Sequence, residues 1–224
     1  MQTSCFDLDG FTVTPALFDD FACAQIESAL TQVQTGSAGM RHLLDHPWCR
    51  ALAHELLNHP ALQTLVLPAS VAVQCTCFEK SRDQNWLVPL HQDLSIPVAE
   101  KIGHPQLTGW SEKEGSLFVQ PPVDVLERLV AVRLHIDDCG TDDGALKVVP
   151  GSPRRGRLSN DDALSERAAS GETLCTVVKG GALVLKPLLL HASSKATGQS
   201  RRRVLHFVFG PPALPYGLRW RTES

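Results

Sequence analysis

The 224-residue sequence is short of several things that would have placed it quickly. No apolar run approaches the roughly 20 residues that a membrane-crossing helix needs. The opening MQTSCFDLDGF has neither a basic stretch nor an apolar one, so no secretory signal is read there. There is no excess of one charge: 21 Lys and Arg stand against 24 Asp and Glu, a formal net charge of −3. That balance argues against a nucleic-acid binder or an anionic-membrane binder. No G-x-G-x-x-G or P-loop string follows a strand-like run, which argues against the dinucleotide and NTP-binding classes. No repeat or low-complexity tract is present. The seven cysteines are odd in number and scattered, so a disulfide framework is not expected and free thiols in the cytosol are the simpler reading. Cys75 and Cys77 share a strand face but lack metal-ligating partners, which reads as core packing.

What is present has the average composition of a soluble domain, 43% hydrophobic and 20% charged, and length enough for one core. The expected organisation is one domain over 1–224, with a helical layer over about 1–68 and a β-rich body over about 69–212. Thr14-Pro15 reads as a helix start, followed by Leu17, Phe18, Phe21, Ile26, Leu30 and Val33 at near-helical spacing. A second helix starts at Pro47 and stops at Asn58-His59-Pro60. After Pro68 the texture becomes β-branched and short. Strands are expected over Val71–Phe78, Leu87–Leu90, Leu129–Ile136, Ala145–Val149, Leu174–Val178, Ala182–Leu190 and Arg203–Phe209. One helix interrupts them, about Asp161–Ala169, with Asn160 as cap and Gly171 as stop. Many short strands behind a helical layer predict a mainly β fold with flanking helices, a sandwich or barrel.

Chemistry enters at Leu90-His91-Gln92-Asp93. Residues two apart on an extended segment point the same way, so His91 and Asp93 suit one metal ion. Alone the motif is weak. A second signal strengthens it: the apolar run Leu183–Leu190 delivers His191, Ser193 follows, and Arg202 opens another apolar strand. Two imidazoles and one carboxylate leave open positions on a divalent ion and suit iron(II) that activates O2. A buried arginine is costly unless it meets an anion, and a small dicarboxylate would provide one.

The sequence resembles the phytanoyl-CoA dioxygenase family. The resemblance runs through DLDGFTVTPALFDDFACAQIESAL, AGMRHLLDHPW, FEKSRDQNWLVPLHQD, VQPPVDVLERLVAVRLHIDDC, DDGALKVVPGSPRRG and LVLKPLLLHASSKATGQSRRRVLHFVFG. It implies a double-stranded β-helix, the jelly-roll core of cupin-like proteins. It also implies iron(II) as cofactor, 2-oxoglutarate and O2 as co-substrates, and a small-molecule substrate oxidised, by default hydroxylated, with release of succinate and CO2. His91, Asp93 and His191 would be the catalytic metal ligands. Arg202 would take the distal carboxylate of 2-oxoglutarate with Ser193 beside it. Arg201 and Arg203 would face the other way on a regular strand. The family has an aromatic residue near the co-substrate in the region of Trp110, which otherwise reads as a hydrophobic plug. Lys80 and Asn85 are candidates for co-substrate or substrate contact, and Gln92 for substrate contact or for a place in the second rank around the site. Arg133, His135 and Asp137 alternate along one strand and either line the pocket or form a solvated outer face. His206 shares a strand face with Arg202, in the second rank or in the core. His42, His46, His54 and His59 read as ordinary surface or packing histidines. Pro150-Gly151-Ser152-Pro153 departs from the family's P-G-S-H, which touches the entrance loop and not the metal. A zinc-binding or otherwise non-catalytic cupin-like protein is the main rival, a lyase or isomerase on the cupin scaffold and a pure interaction domain the others. The identity of the substrate and the oligomeric state are open.

Overall fold

The computed structural model describes residues 3–33, 39–81, 84–198 and 201–222. In chain order the helices are α1 (Thr3–Asp9), α2 (Asp20–Thr31), α3 (Pro47–Asn58), α4 (Val123–Leu126) and α5 (Asn160–Ser170). The strands are β1 (Phe11–Val13), β2 (Gly39–Met40), β3 (Val71–Lys80), β4 (Val88–His91), β5 (Ile96–Val98), β6 (Thr108–Lys113) and β7 (Ser116–Gln120). They continue with β8 (Val130–His135), β9 (Leu146–Val148), β10 (Thr173–Cys175), β11 (Ala182–Leu185), β12 (His191–Ser193) and β13 (Arg202–Gly210).

These strands make a double-stranded β-helix. The larger sheet runs β1-β11-β8-β13-β3-β2 and the smaller runs β10-β9-β12-β4. Apolar side chains from both sheets, among them Ala131, Leu146, Val148 and Leu183, meet in one cluster, as facing layers require. The antiparallel sheet β5-β7-β6 is inserted between β4 and β8.

Period-two alternation explains the larger sheet. Cys75 and Cys77 on β3, Val132 and Leu134 on β8, and Leu205 and Phe207 on β13 join Leu30, Leu52 and Leu56 of α2 and α3 in the main hydrophobic cluster. Their neighbours Thr76, Phe78, Lys80, Arg133, Arg202 and His206 turn the other way, into a cavity between the sheets. Six cysteines are buried free thiols, Cys75 and Cys77 among them, as core cysteines should be. The side chain of Cys5 is not among those described.

The structure differs from the sequence-based expectations in four places. Thr14 does not cap a helix: its Oγ1 accepts from the Ala182 N–H at 2.9 Å, so the chain before α2 is tied to β11. Asp19 caps α2, accepting from the Ala22 N–H at 2.8 Å. The apolar run Ala182–Leu190 is not one strand. β11 ends at Leu185, and Lys186-Pro187 turns the chain into the smaller sheet, because Pro187 has no N–H for a ladder. The cap of α5 is Ser159, whose Oγ accepts from the Asp162 N–H, not Asn160, while Gly171 ends the helix as expected. Asp137 does not share a face with Arg133 and His135. It lies past the end of β8 and binds Arg203 at 2.6 Å, where Glu27 of α2 joins it.

Gly180 is a point of close approach. At φ +74° a Cβ there would lie 2.0 Å from the Phe18 carbonyl oxygen, whereas the equally left-handed Gly171 has open space around it. Gly180→Ala is therefore expected to cost at least about 3 kcal/mol. Gly171→Ala meets no clash and bears only the backbone penalty of φ 74° with ψ −176°, about 1–3 kcal/mol. Thermal unfolding checks the pair, and equal Tm losses would count against this account.

Candidate metal and co-substrate site

His91 is the last residue of β4 and His191 the first of β12, and the antiparallel register places them directly opposite each other. Their rings lie 4.2 Å apart between centroids. Asp93 follows in the loop, anchored by its own N–H donating to the Pro187 carbonyl at 2.9 Å. The turn that ends β11 therefore positions Asp93 and His191 together. Gln92, between the two candidate ligands, spends its whole amide on backbone. Its Nε2 donates to Gly156 O and Leu188 O at 2.8 and 2.7 Å, and its Oε1 accepts from the Leu158 N–H at 2.9 Å. Gln92 borders the cavity, yet its amide holds the loop and is not available to a ligand.

The tautomers follow from the hydrogen bonds. His91 Nδ1 lies 2.8 Å from the Pro89 carbonyl and His191 Nδ1 lies 2.9 Å from the Leu189 carbonyl. A carbonyl only accepts, so each Nδ1 carries the proton and each Nε2 lone pair is left for a metal. Those Nε2 atoms stand 3.7 and 3.8 Å from the two Asp93 carboxylate oxygens, too far for good hydrogen bonds. One ligand atom from each of the three residues falls within 4.8 Å of the others. Burial drives His191 down to about 4, so it is neutral at physiological pH. Burial raises the Asp93 carboxyl, but His191, His206, His91 and Arg133 outweigh it and hold the group below the usual carboxylate range. A divalent ion requires an unprotonated Nε2 from each histidine and an ionised carboxylate.

Behind this trio lies a cationic floor. Arg202 is buried, donates from Nη1 to Gly144 O at 2.6 Å, and leaves Nε without a partner. Lys80, also buried, donates to Ser193 Oγ at 2.8 Å and to Ser194 O at 2.7 Å. Burial and the neighbouring Arg202 and Arg133 lower its amine to about 8. Arg133 donates from Nη1 to His206 Nδ1 at 3.1 Å and stacks over Phe78. That bond leaves the His206 proton on Nε2, which faces Asp93 at 3.9 Å. The cavity that these residues enclose has a volume of about 400 Å3.

The neighbouring arginines settle the register. Arg201 pairs with Glu79 at 2.7 Å on the outer surface, and Arg203 pairs with Asp137 and Glu27. Only Arg202 of the three lines the cavity. Arg133 lines it too. His135 is buried beside Arg133 and Arg202, which with burial push its imidazole well below the ordinary value.

Two candidates are not brought to the site. Trp110 sits on β6 rather than in a loop, packs against the cluster of Val98, Val119 and Leu126, and lies under Lys101. It does not line the cavity, so the geometry supports the hydrophobic plug. Asn85 uses both ends of its amide on the Ala196 backbone, at 2.7 and 2.8 Å, and is a loop clamp. Conversely, Lys113 and Phe118 do border the cavity and were missed. They belong to the β6–β7 hairpin, whose signal was Glu114-Gly115, a two-residue turn with both φ positive, at 51° and 73°.

On a double-stranded β-helix, two histidines and one aspartate leaving one face of the ion open is the arrangement of non-haem iron oxygenases. The sequence profile of the family described as phytanoyl-CoA dioxygenase (PhyH) matches residues 6–204, and the chain belongs to that family. It is a 2-oxoglutarate-dependent non-haem iron oxygenase by class. No curated protein matches the sequence. Among solved structures, the fold is similar to the non-heme alpha ketoglutarate dependent carbocyclase SnoK from nogalamycin biosynthesis (TM-score 0.70, 14% identity, 94% of this chain and 83% of that one). It is similar to HygX from Streptomyces hygroscopicus with nickel, 2-oxoglutarate and hygromycin B bound (TM-score 0.65, 21% identity, 94% and 86%). It is also similar to EctD from S. alaskensis (TM-score 0.69, 15% identity, 94% and 76%).

The buried imidazoles make stability depend on pH. His191 and His206 are held at about 4 and about 3 by burial, against an ordinary value of 6.5. Between those limits the unfolded chain binds protons that the folded chain refuses, so stability falls as the pH drops below 6.5. The loss reaches about 1.4 kcal/mol per pH unit for each histidine. Urea unfolding of the metal-free protein at pH 7 and pH 5 should show the lower midpoint at pH 5, and His206→Gln should flatten the difference. A pH-independent midpoint would contradict it.

Proposed function

We propose that His91, Asp93 and His191 hold iron(II), and that Arg202, with Ser193 and Lys80 beside it, takes the distal carboxylate of 2-oxoglutarate. The enzyme then oxidises a small molecule, with release of succinate and CO2. The observation that carries this reading is a single one. Three ligand atoms converge at one end of a cavity whose other end presents a buried guanidinium with an unpartnered Nε. A zinc-storing relative would have no use for that guanidinium.

The donor set fits the metal: two imidazole Nε2 atoms and one carboxylate, each oriented by backbone. When bound, iron(II) supplies the activation of O2 at its open positions. The chain's own residues orient and enclose. Pro89 O and Leu189 O hold the imidazoles, Pro187 O holds the Asp93 backbone, and Gln92 ties the loops around them. His206 presents its Nε2 proton toward the Asp93 carboxylate. Arg202 and Ser193 fix the far end of the co-substrate through a charge-assisted pair and a hydroxyl.

The catalytic unit is read as one domain over residues 1–224. No helix among the described residues is long and apolar enough to cross a membrane. The buried free thiols fit a reducing compartment and support a cytosolic enzyme.

Oxygen-free titration of 2-oxoglutarate into iron(II)-loaded protein, read by calorimetry and by the visible charge-transfer band, tests the assignment. Wild type should bind and develop the band. Arg202→Ala should weaken binding by about 100-fold. His191→Ala should lose the metal. Arg201→Ala, on the outer surface, should bind as wild type does. Metal binding without any response to 2-oxoglutarate would sink the proposal.

A further inference from the structure

Charge around the cavity does not balance, even with metal and co-substrate included. Five cations line it (Arg41, Lys80, Lys113, Arg133 and Arg202) against one carboxylate, Asp93. Glu114 pairs with Arg41 and so offsets it. Asp93 offsets one more. A divalent metal and a doubly charged 2-oxoglutarate cancel each other. Three of the five cations therefore stay uncompensated after every component of the oxygenase reading is in place. Lys80, Arg133 and Arg202 are buried, and uncompensated charge held away from water costs several kcal/mol unless an anion meets it, while Lys113 stands exposed at the edge of the cavity.

Two of the cations make no hydrogen bond to the Arg202, Lys80 and Ser193 cluster among the described residues. Arg133, 7% exposed, reaches from β8 across to Phe78, and among the described residues its only side-chain hydrogen bond is to a neutral imidazole. Its buried Nε has no partner. Lys113, beside the hairpin turn at Glu114-Gly115, lies 4.9 Å over the Phe118 ring and has no carboxylate partner among the described residues. Burial and Arg41 lower its amine, while the charge of Asp93 opposes them; burial and Arg202 lower the Arg133 guanidinium to about 10, again against the opposing charge of Asp93. The metal end of the cavity thus feels one cation from the floor and one from the rim. Phe78, Phe118 and Trp86 supply apolar walls.

We propose that the molecule oxidised here is a small organic anion, a carboxylate or a phosphate monoester, whose acidic group is received by Lys113 while Arg133 adds positive field from the floor. This rests on the oxygenase reading above. A carboxylate and a phosphate share the chemistry that recognises them, a compact anion beside an amine.

The test uses iron(II)-loaded, oxygen-free protein. 2-Oxoglutarate is titrated first, and failure at that step counts against the oxygenase reading alone, since the anion titrations also run on metal-loaded protein without it. Phenylacetate, phenyl phosphate and the neutral phenylacetamide are then titrated by calorimetry. At least one acid should bind, with the amide about tenfold weaker or worse. Lys113→Met should weaken that acid by about tenfold and Lys113→Glu by more. Lys101→Met, which removes a surface cation over Trp110, should leave it as in wild type. Tighter phenylacetate identifies a carboxylate and tighter phenyl phosphate a phosphate ester. The proposal is overturned if neither acid binds, if the amide binds as tightly as both, or if Lys113→Met binds the acids as wild type does.

Discussion

The register of β13 between β3 and β8 is the constraint on which the site depends. Along that strand Arg202, Val204, His206 and Val208 face the cavity wall, and Arg203, Leu205, Phe207 and Phe209 face the helices. Side chains alternate with a period of two, so a slip of one residue would exchange the two sets. Leu205, Phe207 and Phe209 would enter the cavity and Arg202 would meet the helical layer. The apolar burial of those residues against α2 and α3 therefore selects which arginine enters the site. The ion pairs of Arg203 with Asp137 and Glu27 lock the same choice from outside.

The metal end depends on a different device, backbone carbonyls one turn away from each ligand. Both imidazoles donate to the carbonyl two residues earlier, and both rings are thereby presented through Nε2. The opposing register of β4 and β12 then brings the two rings face to face. Both features are made by contacts within the protein, and their cost is visible elsewhere. Buried His191, His206, Arg133 and Lys80 all have their charged forms disfavoured by burial. Such groups reduce the stability of the empty protein and are offset when a cation and anions fill the space.

Much of this was legible beforehand where a local pattern has a local cause. The strand from Val71, expected to Phe78 and found to run on to Lys80, the helix opening at Pro47 and the stop at Gly171 follow from β-branching, from proline at a first turn and from glycine at a positive-φ cap. The convergence of His91, Asp93 and His191 was legible because H-x-D puts two side chains on one side and a second apolar run leads to His191. Misreadings arose where distant partners decided. Thr14 looks like a cap, yet the Ala182 N–H claims its hydroxyl. Trp110 looks like a pocket aromatic, yet the inserted sheet carries it to another cluster. Asn85 looks like a ligand contact, yet a neighbouring loop consumes its amide.

The sequence by itself determined the inventory: which residues have metal-ligating or anion-binding chemistry, in what order, and on which alternate positions of which strands. Those properties are local, set by side-chain chemistry and by the two-residue repeat of extended backbone. Only the tertiary structure decided which of those groups are spent and which are free. It separated Arg202 from Arg201 and Arg203 by what each one meets, withdrew Trp110 and Asn85, and brought Lys113 over from an inserted hairpin. Whether a buried polar atom is satisfied depends on neighbours a hundred residues away, and no local pattern records them.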